Sequence, residues 1–105
     1  MNVQNKYEQL IREIEKLKDF AAYKLKDPSF SKEYAYGMYS MSYWLYSIAQ
    51  QATNITHTDN DRFNYVFDII KHNLQTHNEQ LCVRDAENHN GRVYILETLV
   101  VTINK

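Results

Sequence analysis

The sequence predicts an all-α protein, a four-helix bundle of two antiparallel helical hairpins. Three observations predict it. Apolar residues recur at alternating steps of three and four along the long segments, the period of a helix with a buried face. The chain has only two glycines and one proline in 105 residues, too few for the many tight turns of a β sandwich or barrel. The length allows one core: at a prior of ~150 residues per domain, residues 1–105 make a single helical domain.

The first helix is expected over residues 2–26. Val3, Tyr7, Leu10, Ile14, Leu17, Ala21 and Leu25 form one heptad-like stripe, and charged residues fill most of the remaining positions. Asp27-Pro28 ends it, because proline disfavours helical geometry in the residue before it. Ser29 or Ser31 then offers a side-chain oxygen to cap a second helix reaching about Asn54. Its inner stripe is Tyr34, Met38, Met41, Leu45, Ile48, Ala52 and Ile55. Tyr36, Tyr39, Tyr43 and Tyr46 fall on the opposite side, about 120–200° away at the helical step, with Trp44 and Gly37 on a flank. A surface helix usually has one apolar face, and this one has two.

Thr58, followed by Asp59 and Asp61, reads as the start of a third helix. Phe63, Val66, Phe67, Ile70, Leu74, His77 and Leu81 carry its spacing. Asn88-His89-Asn90-Gly91 reads as a turn. The last segment, residues 92–105, is rich in Val, Ile and Thr, so the alternative fold is α+β: three helices and a C-terminal β-hairpin over 80–103. The helical period separates its apolar and polar residues more cleanly, with Val101 the misfit, and helix is preferred. One spacing recurs: Glu33, Gly37, Leu45 and Glu87, Gly91, Leu99 are spaced alike.

Composition excludes several functions. Twelve Lys and Arg against thirteen Asp and Glu give a net charge of −1, which argues against direct, phosphate-driven nucleic-acid binding and against an acidic mimic of nucleic acid. Cys82 is the single cysteine, so no internal disulfide forms, and a small buried hydrophobe is its expected role. The four histidines lack zinc-site spacing, and neither a metal nor any other cofactor is expected. No signal peptide or membrane span is visible, so the expected compartment is the cytoplasm.

The tyrosine face carries the functional expectation. Tyrosine is enriched at protein interfaces because it buries a large rigid ring and keeps a hydroxyl for a hydrogen bond. Tyr36, Tyr39, Tyr43 and Tyr46, with Trp44 beside them, are therefore the candidate partner-binding residues. Three coverings compete for that face: helices of the same chain, a second copy in a homodimer, or a host protein.

Two resemblances add to this reading. Arg84, followed by Asp85-Ala86-Glu87-Asn88 and His89, resembles the motif of the HEPN ribonucleases, compact helical bundles that cleave RNA without metal. The resemblance implies an alternative function in which Arg84 stabilises the scissile phosphate and His89 handles the proton. The first half of the chain is similar in style to small helical-hairpin accessory proteins of phages and other mobile elements of low-GC bacteria, on Ser31, Glu33, Tyr34, Gly37, Leu45 and Ile48. Such proteins often bind a host protein stoichiometrically, and anti-CRISPR inhibitors are one example. The resemblance implies a non-enzymatic interaction protein that occludes a surface of a host defence complex. A self-associating structural protein is the remaining alternative.

Overall fold

The computed structural model describes residues 5–79 and 85–104. They form four helices: α1 (Lys6–Leu25), α2 (Lys32–Gln51), α3 (Asp59–Asn78) and α4 (Ala86–Ile103), with a single 3-10 turn, Ala52–Asn54, after α2. The bundle predicted from periodicity is present. The β-hairpin alternative is not: residues 86–103 are helical, and the described residues contain no strand. No helix among them is long and apolar enough to cross a membrane.

Each helix starts on a side-chain cap. Asn5, Ser31, Thr58 and Asp85 accept hydrogen bonds from backbone N–H groups of the first turns of α1, α2, α3 and α4. Such a cap satisfies one otherwise unpaired donor and contributes about 1 kcal/mol. After α1 the Asp27 carboxylate takes the Ser29 amide and hydroxyl and shapes the turn around Pro28. Those bonds hold Asp27 below its ordinary carboxylate range.

The core follows the predicted stripes with specific departures. Tyr7, Leu10, Ile14 and Ala21 of α1, Met38, Met41 and Leu45 of α2, and Phe63, Val66, Phe67 and Ile70 of α3 are buried together with Ile95, Leu96 and Leu99 of α4. The Tyr7 hydroxyl donates to the carbonyl of Ala49, which sets α1 antiparallel to α2. Ile55, placed in the core stripe by spacing, is 55% exposed, because α2 has already ended and the chain is turning toward α3. Val101 projects outward, as its misfit position implies. The predicted turn at Asn88-His89-Asn90-Gly91 lies instead inside the first two turns of α4. Asp85 caps the helix before this stretch, and Gly91 is used for packing rather than for chain reversal.

That packing is the tightest feature of the fold. α2 and α4 cross with their N-terminal ends side by side, and each places a glycine on the other's backbone. A methyl group on Gly37 would lie inside the carbonyl oxygen of Asn88 and 2.9 Å from its carbonyl carbon. One on Gly91 would lie inside the carbonyl oxygen of Tyr34 and 2.9 Å from the Met38 nitrogen. Tyr34 and Asn88 each stand three residues before the glycine of their own helix, so the contact is two-fold symmetric. The Ser31 hydroxyl donates to Glu87 across the same junction, at 2.6 Å. The symmetry extends to the hairpins. The caps recur at nearly one offset, Asn5 to Thr58 and Ser31 to Asp85, and the glycines share the offset of the second pair. Buried Leu10 and Ile14 correspond in this way to buried Phe63 and Phe67.

In an ordinary helix interior, Gly→Ala adds about 1 kcal/mol of stability. Here the sign reverses, since the added carbon meets backbone that cannot rotate away. Gly37→Ala and Gly91→Ala should each lower the unfolding free energy by about 2 kcal/mol in urea titration. Ser40→Ala, on the exposed side of α2, should change it by less than about 0.5 kcal/mol.

Candidate functional site

The second face of α2 is divided between fold and solvent. Tyr36, Tyr43 and Trp44 are 50%, 54% and 44% exposed. Tyr39 and Tyr46 are half-buried and pack against the core. The Tyr39 ring also supports Tyr43, with centroids 5.9 Å apart, and the Lys18 ammonium of α1 sits 5.1 Å from the Tyr46 ring. The structure therefore presents Tyr36, Tyr43 and Trp44 outward and gives Tyr39 and Tyr46 structural work. Between and beside the outward rings lie Ser40 and Ser47, with no charged side chain on that arc of the helix. Ser47 returns its hydroxyl to the Tyr43 carbonyl, so this part of the face offers rings more than free donors.

Of the two residues that carry the HEPN resemblance, Arg84 lies outside the described residues, as does Cys82. His89 is on the first turns of α4, half-buried, with its ring against His77 at the end of α3 (centroids 5.3 Å, planes 32° apart). His77 Nδ1 is 2.8 Å from the Asn73 carbonyl, one helical turn earlier. With that nitrogen donating, Nε2 is the free one. Arg92, one turn beyond Asn88, donates from Nε to the Asn88 side-chain oxygen at 2.8 Å. Burial pushes the His89 imidazole below its ordinary value of 6.5, and the positive charges of His77 and Arg92 push it the same way.

His77 and Arg92 border an open groove of about 410 Å³ between α2, α3 and α4, lined also by Ser40, Met41, Trp44 and Asn73. Sequence reading missed it. Spacing assigns His77 to the core stripe of the third helix, and Arg92 opens the last segment. The signal available was the repeated glycine spacing, which aligns the two hairpins. The aligned position on the other side of the crossing also holds a groove, of about 340 Å³, lined by Phe20, Phe30, Ser31, Tyr34, Met38 and Tyr94. It is aromatic: Phe30 and Tyr34 meet edge to face at 5.7 Å, and Tyr34 and Tyr94 lie 6.3 Å apart.

Comparison with protein-family models, with curated protein sequences and with solved structures finds no match.

The depressed His89 has a consequence for stability. In the unfolded chain the imidazole takes a proton near pH 6.5, whereas the folded chain resists it to lower pH, so the unfolded state binds more protons in between. The contribution is complete above about pH 6.5 and is lost as the pH falls through the folded value. The melting temperature should fall between about pH 7 and pH 5, and His89→Gln should flatten that dependence in calorimetry.

Proposed function

We propose that this chain is a non-enzymatic interaction protein that binds another protein through the outward face of α2, acting as mobile-element inhibitors do when they occlude a surface of a host defence complex. The observation that supports this reading is the exposure of Tyr36, Tyr43 and Trp44 on one charge-free arc of a helix whose other sides are packed. Half-exposed rings of this size are retained at a cost in solubility, and they match the aromatic anchors that dominate protein interfaces. Tyr39, held beneath Tyr43, fixes that ring before a partner arrives, which reduces the entropy lost on binding.

The test separates a host partner from a second copy. Light scattering should give a monomer, and capture from a bacterial host lysate should retain a protein at stoichiometric amounts. Tyr36→Ala with Tyr43→Ala should leave the melting temperature near that of the parent and weaken capture about 30-fold, the equivalent of ~2 kcal/mol at hot-spot positions. A dimer that dissociates in the double variant would replace the host-binding reading with self-association, and undiminished capture would end the assignment to this face.

A specific observation favours a second reading, metal-independent RNA cleavage. His89 stands against His77 beside Arg92, which supplies two proton-transfer groups and a cation. On that reading, purified protein cleaves single-stranded RNA in the presence of a chelator, and His89→Ala or His77→Ala abolishes cleavage. RNA left intact by a stoichiometric amount of protein would dismiss it.

A further inference from the structure

The two grooves beside the glycine crossing occupy equivalent places but hold different chemistry. By the alignment of caps and glycines, Phe20 corresponds to Asn73, Lys24 to His77, Met38 to Arg92 and Tyr94 to Ser40. The aromatic groove shows what satisfies the fold at these positions: Phe20, Met38 and Tyr94 pack there with Phe30 and Tyr34. Asn73 and Arg92 stand where the other groove has Phe20 and Met38, and polar side chains there do not improve burial, so the packing of the crossing does not account for these two.

We propose that the groove walled by Asn73, His77, Arg92 and Trp44, with His89 against His77, binds a phosphomonoester whose flat organic part lies on the Trp44 ring, a nucleoside monophosphate being the simplest ligand of that class.

Five observations carry this. The Arg92 guanidinium is oriented through Nε by Asn88, and its terminal nitrogens have no protein acceptor among the described residues. A guanidinium held in this way matches two phosphate oxygens. His77 lines the groove, and with its Nδ1 donating to the Asn73 carbonyl its Nε2 is left for another partner. The charges acting on His89 come from His77 and Arg92, with no carboxylate among them. A phosphomonoester carries about −1.5 to −2 charges at pH 7 and would draw a proton onto His89, offsetting the repulsion it meets from its neighbours by attraction to the anion. Trp44, 44% exposed on the α2 wall, supplies a stacking surface. The groove's volume of about 410 Å³ falls within the ~300–1,000 Å³ range of small-molecule sites.

The proposal does not rest on the partner-binding reading and requires no cleavage. Ring ¹⁵N signals of the histidines in the full chain, followed across pH, test it with inorganic phosphate, adenosine monophosphate and adenosine as probes. Adenosine monophosphate should move the ring signals of His77 and His89, raise the apparent pKa of His89 by about one unit or more, quench Trp44 fluorescence and bind at least tenfold more tightly than phosphate or adenosine. Arg92→Met places in the groove the residue that the fold accepts at Met38, and it should weaken nucleotide binding tenfold or more. Trp44→Thr, copying Thr98 at the aligned position, should weaken nucleotide binding and leave phosphate binding unchanged. Histidine signals indifferent to millimolar nucleotide would overturn the proposal, as would full binding by Arg92→Met. Equal affinity for nucleotide and bare phosphate would overturn the nucleotide assignment.

Discussion

The structure depends on a place where two helices touch backbone to backbone. Side chains ordinarily hold helix axes 8–10 Å apart. At Gly37 and Gly91 there is no side chain, and the Asn88 and Tyr34 carbonyls fill the space that one would take. This contact sets the depth and register of α2 against α4. With that pair fixed, the N-terminal ends of both helices are brought together, Ser31 reaches Glu87, and Leu45 and Leu99 are carried into one core. α1 and α3 then pack as the outer member of each hairpin. α1 is tied to the far end of α2 by the Tyr7 hydroxyl on Ala49, and to the start of α3 by the Asn5 side chain on Asp59. Arg62 donates to the same Asp59 carboxylate, and these two donors hold that group below its ordinary range.

Much of this arrangement was legible in the amino-acid order. A period of three and four residues survives whatever packs against it, so the four helices and most buried positions could be read from Leu10, Ile14, Met41, Leu45, Phe67 and Ile70. The errors came from residues whose local preference and tertiary use disagree. Asn90-Gly91 has the composition of a turn, yet the glycine is selected by the approach of α2, which no local window contains. Ile55 continues a helical stripe after the helix itself has ended. Four of the five tyrosines of α2 share one side by angle, but angle alone could not say that Lys18 and the core would claim Tyr46 and Tyr39 while Tyr36 and Tyr43 stayed wet. The meeting of His77 with His89 is a contact between separate helices, and sequence spacing carries no information about it until the hairpins are aligned.

The proposed function and the fold draw on different parts of the same helix. α2 gives Gly37 and Met38 to the crossing, Met41 and Leu45 to the core, and Tyr36, Tyr43 and Trp44 to the surface. Its low charge is what allows three such uses, since a lysine or carboxylate on any of these arcs would need water or a partner. Trp44 lies where the outward face meets the histidine groove, so an occupant of one would be felt at the rim of the other.

A crossing in which each glycine seats on the other helix is self-complementary. A peptide half as long, with one such seat, would meet its own twin in the same way, but both rims of that pair would then be obliged to carry identical residues. Joining the halves in one polypeptide lifts the obligation. One rim can stay oily while its mirror place becomes ionisable, without disturbing the seat between them.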